Sequence, residues 1–361
     1  MNGPRSAHNM IAPRSARWPG VPLALASAVL FGATAPFSKL LLGAIDAWLL
    51  AGILYLGAGA GLAALHGLRP WFGMASSEAP LKSNDLPWLA AVVLFGGVLG
   101  PLLLMRGLAA TAATTASLLL NVEGLATMAI AWVVFRENVD RRLLLGAAAI
   151  LGGAVILSWS GDRLSLDWGG LLIVAACLCW GIDNNLTRRL SSADPVQIAM
   201  IKGIVAGSTN LILALGLGAS LPQGSGVAAG LVLGFFGVGV SLVLFMLALR
   251  HLGAARTGAY FSLAPFIGAL LAIVLLHEPI TVQLLAAAAL MVFGLWLHVS
   301  EHHDHAHQHR ELEHDHAHVH DAHHRHSHDG VVIEPHSHWH RHAPLRHKHP
   351  HYPDVHHRHD H

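Results

Sequence analysis

The sequence predicts an all-α integral membrane protein: ten transmembrane helices in two inverted five-helix repeats, followed by a disordered tail. Three observations predict it. Residues 18–300 are rich in Ala, Leu, Gly and Val and poor in charge, whereas residues 301–361 are mostly His and charged residues. The apolar part repeats itself. The lysines and arginines of its connections are unevenly shared between alternate loops.

Ten apolar segments lie at about 21–41, 47–67, 87–106, 112–135, 142–160, 168–188, 195–217, 227–249, 256–276 and 281–299. Each is near the roughly 20 residues a bilayer requires. The first follows Arg5, Arg14 and Arg17. Its run from Val21 to Leu42 is long and leads at once into further apolar segments, so it is read as a retained helix and not as a cleaved signal. Gly-rich stretches, Leu56–Gly61 and Gly234–Gly239, put small residues on helix faces, which permits close helix packing in lipid. Trp48, Trp71, Trp88, Trp132 and Trp168 sit near segment ends, as interfacial aromatics do.

The repeat is legible residue by residue. Phe95–Glu137 lines up with Phe236–Glu278 at a constant offset of 141, matching Gly96 to Gly237, Met105 to Met246 and Leu108 to Leu249. Gly153 falls on Gly294. Upstream, Phe31-Gly32…Ser38-Lys39 matches Trp180-Gly181…Thr187-Arg188 at an offset of 149, the difference being a longer loop near 70–85 in the first copy. The divisions are an N-terminal segment 1–17, a first repeat 18–160, a second repeat 161–300 and a tail 301–361. With the N-terminus inside, Arg69, Lys82, Arg136, Arg141, Arg142, Arg188, Arg189, Arg250 and Arg256 all fall on the inner side, against Arg163 outside, with Lys39 and Arg106 near helix ends there. Five helices per copy is an odd number, so the second copy runs upside down relative to the first, as in transporters that exchange inward-open and outward-open shapes.

The residues Leu249-Arg250-His251-Leu252-Gly253-Ala254, Leu263-Ala264-Pro265-Phe266 and Leu276-His277-Glu278-Pro279-Ile280-Thr281 resemble the EamA-domain permeases of the drug/metabolite transporter superfamily. The first copy carries a weaker version, from Gly107-Leu108-Ala109-Ala110 through Asn121-Val122-Glu123-Gly124 to Phe135-Arg136-Glu137-Asn138. The Glu-Pro pair frequent in that family is split here between Glu123-Gly124 and Ala264-Pro265. The resemblance spans roughly residues 20–300. It implies ten helices, both termini cytoplasmic, an inner (plasma) membrane location, and movement of small metabolites by alternating access.

An ionisable side chain within the hydrocarbon usually faces a cavity or a partner. Glu123, with Asn121 two residues before it, is read either as a proton-coupling or substrate contact or as a carboxyl pinning two helices. Asp183-Asn184-Asn185 breaks an apolar run beside Trp180 and occupies the repeat position of Thr34-Ala35-Pro36. It is either a central binding surface or the mark of a helix end. Pro36 is expected to free a carbonyl toward the cavity. Lys202 is either half of a structural ion pair, with Asp183 or Glu123, or a contact for a substrate carboxylate. Glu137 and Glu278 are expected to pin short turns.

Several function classes are excluded. No phosphate-binding Gly-rich loop and no catalytic constellation occur, so neither an enzyme nor a required cofactor is expected. Scattered arginines and a net charge of +1 give no case for nucleic acid. Cys177 and Cys179, the two cysteines, lie one residue apart on an apolar helix and diverge.

Of 29 histidines, 24 crowd into residues 301–361. His302, His303, His305, His307, His309, His314, His316, His318, His320, His323, His324, His326 and His328, with carboxylates between them, suit Zn, Ni, Co or Cu. The expected partners are the lipid bilayer, a small-molecule substrate and divalent metal ions, and a homodimer is compatible with this body. The expected function is secondary active export of a small organic metabolite, with proton coupling and a metal-binding cytoplasmic tail. The alternative is a divalent transition-metal transporter or metal-regulated permease.

Overall fold

The computed structural model describes residues 20–68, 81–135, 141–159, 168–187, 190, 194–222 and 224–299, with tail segments 304–308, 312–318, 336–342 and 346–350. The N-terminal segment, Glu137 and most loop arginines lie outside the described residues, as do His302, His303, His309, His320, His323, His324, His326 and His328.

From 20 to 299 the described chain is helical between short turns. The helices are α1 (Gly20–Leu41), α2 (Ala47–Leu68), α3 (Leu86–Val92), α4 (Gly100–Ala110), α5 (Ala113–Leu119), α6 (Val122–Phe135) and α7 (Arg141–Leu157). The second half holds α8 (Trp168–Thr187), α9 (Pro195–Gly216), α10 (Gly224–Leu233), α11 (Ser241–Phe261), α12 (Ala264–Leu276) and α13 (Val282–Val299). Seven helical stretches among the described residues are long and apolar enough to cross a membrane: 20–41, 47–68, 83–110, 113–134, 168–187, 196–216 and 224–248. Residues 264–276 and 282–298 are apolar but shorter.

Two boundaries differ from expectation. The connection placed between residues 249 and 256 is helical, because nothing in Leu249–Phe261 stops a helix; α11 runs on to Phe261, and the next helix starts at Ala264, with Pro265 in its first turn. At Pro36, α1 continues through the proline. The carbonyl that Pro36 leaves without its helical donor, that of Gly32, lies against Gly268 of α12, where an added Cβ would come within 2.7 Å of it. It is used in packing against α12.

The repeat is visible in the backbone. Two π-helical segments interrupt the spans, π1 (Val93–Leu99) between α3 and α4 and π2 (Gly234–Val240) between α10 and α11. Their limits differ by the sequence offset of 141. The packing follows the same exchange: α2 lies along its counterpart α9, α7 along its counterpart α13, and α1 against α11 and α12 as α8 lies against α4 and α6. Small residues set these contacts. An added Cβ at Gly203 would lie 2.5 Å from the Gly59 backbone, and one at Gly294 would lie 2.6 Å from the Gly146 carbonyl. Helices approach this closely only where side chains are absent, and the gain is dispersion and weak polar contact between backbones.

Charged side chains fasten two helix ends. Lys39 Nζ donates to the carbonyls of Leu108 and Thr111, at 2.6 and 2.8 Å, closing the C-terminus of α4. Glu278 follows His277, which ends α12 in the left-handed conformation. Its carboxylate does not pin its own turn, as the sequence suggests. It reaches across to α5 and accepts from the amides of Ala113 and Thr114, at 2.7 and 2.8 Å. Glu278→Ala is expected to lower stability by about 1–2 kcal/mol through loss of this cap, read as a lower thermal midpoint of the detergent-solubilised protein. An unchanged midpoint would show that the cap contributes nothing.

In the tail, the described residues form four strands where disorder is expected: β1 (Asp304–Gln308), β2 (Leu312–His318), β3 (His336–His342) and β4 (Arg346–Pro350). They pair antiparallel, β1 with β4 and β2 with β3. Alternation of His with other residues has the two-residue period of a strand.

Candidate substrate site

The polar residues of the apolar body gather around π1. A π turn widens the helix and releases carbonyls from their usual partners, and such turns are frequent at functional sites. Here the Gly96 carbonyl accepts from Tyr55 of α2 through its hydroxyl, at 2.8 Å, and from the Trp180 indole of α8, at 3.1 Å. The Gly97 carbonyl accepts from Asn210 of α9 at 3.1 Å, and Asn210 in turn accepts from the Trp48 indole at 3.3 Å. Three helices are thereby tied to one stretch of buried π-helical backbone.

Asp183 and Lys202 meet at this point. Lys202 Nζ donates to Asp183 Oδ2 at 2.5 Å, with the two side chains 14% and 7% exposed. Thr187 adds a 3.4 Å contact to the other carboxylate oxygen. Gly96 makes room for the pair: an added Cβ there would overlap the carboxylate and lie 2.5 Å from the ammonium. A narrow cleft of about 40 Å³ lies beside Lys202, lined by Tyr55, Ala58, Ala199, Val238 and Leu242 among others. A charge pair taken out of water costs several kcal/mol per ion unless geometry and further hydrogen bonds compensate.

Glu123 stands on the neighbouring helix α6. Its carboxylate accepts from Asn184 at 3.0 Å, and Asn184 also reaches the Thr127 hydroxyl at 3.2 Å. Asn185 donates to the carbonyls of Thr127 and Gly181, at 3.0 and 2.8 Å, while its buried Oδ1 has no partner among the described residues. The sequence-predicted residues Trp180, Asp183, Asn184, Asn185, Lys202 and Glu123 are therefore brought to one region. Asn121 is not: it donates to the Leu118 carbonyl at 2.8 Å and faces Met291 of α13. Cys177 is buried and Cys179 half-buried, consistent with divergent thiols. Tyr55, Asn210, Thr127 and Gly96 do not stand out in the sequence as site residues. The available signal is the repeat itself: Thr34 lies against Gly237 as Asp183 lies against Gly96.

The EamA-like transporter family model matches residues 18–159 and 167–300, one match for each copy. The chain belongs to the EamA-like transporter family. Among relatives, this EamA-like chain is 31% identical over 293 residues to an uncharacterized transporter of Methanothermobacter thermautotrophicus, covering 76% of this chain and 84% of that protein. It is 28% identical over 200 residues to a probable amino-acid metabolite efflux pump of Salmonella typhimurium, covering 51% of this chain and 66% of that one. A solved crystal structure has the same fold, with a TM-score of 0.57 at 20% identity, covering 78% of this chain and 96% of that one. This EamA-family chain is thus a multi-pass membrane transporter.

Proposed function

We propose that this chain is a secondary active transporter that exports a small zwitterionic metabolite of the amino-acid class, by alternating access and with proton coupling through Glu123. The Asp183–Lys202 pair beside the cleft carries the reading. A zwitterion presents an ammonium and a carboxylate, so it can exchange partners with an internal ion pair without leaving either charge alone. The relative described as a probable amino-acid metabolite efflux pump supports the solute class.

Ten crossings follow when α7, α12 and α13 are counted with the seven longer spans. The exchange of counterpart helices supports an inverted relation between the copies, and the arginine bias supports cytoplasmic termini at the inner membrane. The metal-permease alternative has no observation behind it in the membrane body: among the described residues no three His, Cys, Asp or Glu side chains converge as metal ligands.

The test is solute counterflow in proteoliposomes with a panel of labelled amino acids and labelled non-zwitterionic metabolites. Protein-dependent exchange of at least one amino acid, steepened by an imposed proton gradient, is expected. Glu123→Gln should retain exchange and lose its dependence on pH. Exchange of non-zwitterionic solutes alone would overturn the solute class, and an unaltered pH profile in the variant would remove Glu123 from coupling.

A further inference from the structure

The pairing of the tail strands puts histidine opposite histidine at five positions. In the first ladder His305 pairs with His349 and His307 with His347. In the second, His314 pairs with His340, His316 with His338 and His318 with His336. Every histidine of β1 and β2 has a histidine as its cross-strand partner. The two ladders keep one common register, with three residues intervening on each arm, 309–311 and 343–345. The alternate positions follow another rule: Glu313 is opposite Arg341, and Gln308 is opposite Arg346, in register with the same pairings.

Residues two apart on a strand share a face, and directly opposed residues share that face too. Opposed Cβ atoms are about 5 Å apart, and neighbours along a strand about 7 Å. Two adjacent cross-strand pairs therefore place four histidine positions at the corners of one small rectangle. Imidazole is a ligand for Zn²⁺, Ni²⁺ and Cu²⁺, and four-coordinate Zn²⁺ has bonds of about 2.0–2.1 Å to each nitrogen. We propose that the two histidine ladders are divalent-metal sites, one on β1–β4 and at least one on β2–β3, built from cross-strand pairs and selective for borderline ions such as Zn²⁺ or Ni²⁺. The sequence-named histidines supply one arm. The other arm, His336, His338, His340, His347 and His349, comes from the second half of the tail.

The ladders are independent of the transported solute, and their test does not use transport. The full-length chain in detergent is titrated with Zn²⁺, and separately with Ni²⁺, against a chromophoric chelator. At least two tight sites per chain are expected. The variant His336→Ala, His338→Ala, His340→Ala, His347→Ala, His349→Ala removes the paired histidines of one arm of both ladders and should weaken those sites at least tenfold. The variant His356→Ala, His357→Ala, His359→Ala, His361→Ala removes nearly as many histidines outside the ladders and should leave them in place. Equal weakening in the two variants would show that binding follows histidine number and not pairing, and would overturn the proposal. So would a full-length chain that competes with the chelator for neither ion.

Discussion

Lys202→Met is expected to abolish solute exchange and to destabilise the protein by about 3–5 kcal/mol, because it leaves the Asp183 carboxylate buried without its cation. Asp183→Asn should do the same from the other side, stranding the ammonium beneath π1. The double variant removes both charges. It should recover much of the lost stability while remaining inactive, since the tie between α8 and α9 can be replaced by neutral packing but the partner exchange cannot. Thermal unfolding followed by tryptophan fluorescence separates the two effects, with counterflow measured on the same preparations. Single variants that unfold at the wild-type temperature would mean that neither charge needs the other.

Gly96→Ala is the second large expected effect, from a single added methyl group. Its Cβ would meet the Asp183 carboxylate and approach Lys202 Nζ to 2.5 Å, so the ion pair must shift or π1 must rewind. The same backbone position presents the carbonyl that holds Tyr55 and Trp180. Exchange should fall by at least tenfold. Gly67→Ala on α2, where nothing lies within 4 Å, should leave exchange at the wild-type rate and raise stability slightly through helix propensity. Equal activity of the two variants would remove π1 from the site.

The helical body is legible in the sequence because apolar runs of spanning length are suited to a bilayer and to little else. The repeat is legible to the residue, and π1 and π2 fall at its offset. Asp183, Lys202 and Glu123 stand out because charge is rare in such runs. Gly96, Asn210 and Tyr55 do not, for a physical reason: their contribution passes through π-turn carbonyls, and composition does not show which turns of a helix widen. Asn121 departs from the site because the turn at residues 120–121 separates α5 from α6 and directs it to Met291. Glu278 suggests a local cap, although its partners lie 164 and 165 residues away. In the tail, runs of histidine are plain, but pairing between distant halves is a long-range property that adjacency does not reveal.

A molecule whose halves were interchangeable in every atom would have two mirror conformations of identical free energy, and would spend equal time open to either side. Here the halves differ where it matters: a carboxylate stands against Gly96, and only the hydroxyl of Thr34 stands against Gly237. In the proposed alternating-access cycle the empty carrier would then have a resting side, to which the charge at position 183 contributes. Loading or unloading charge at that position is what would reset it.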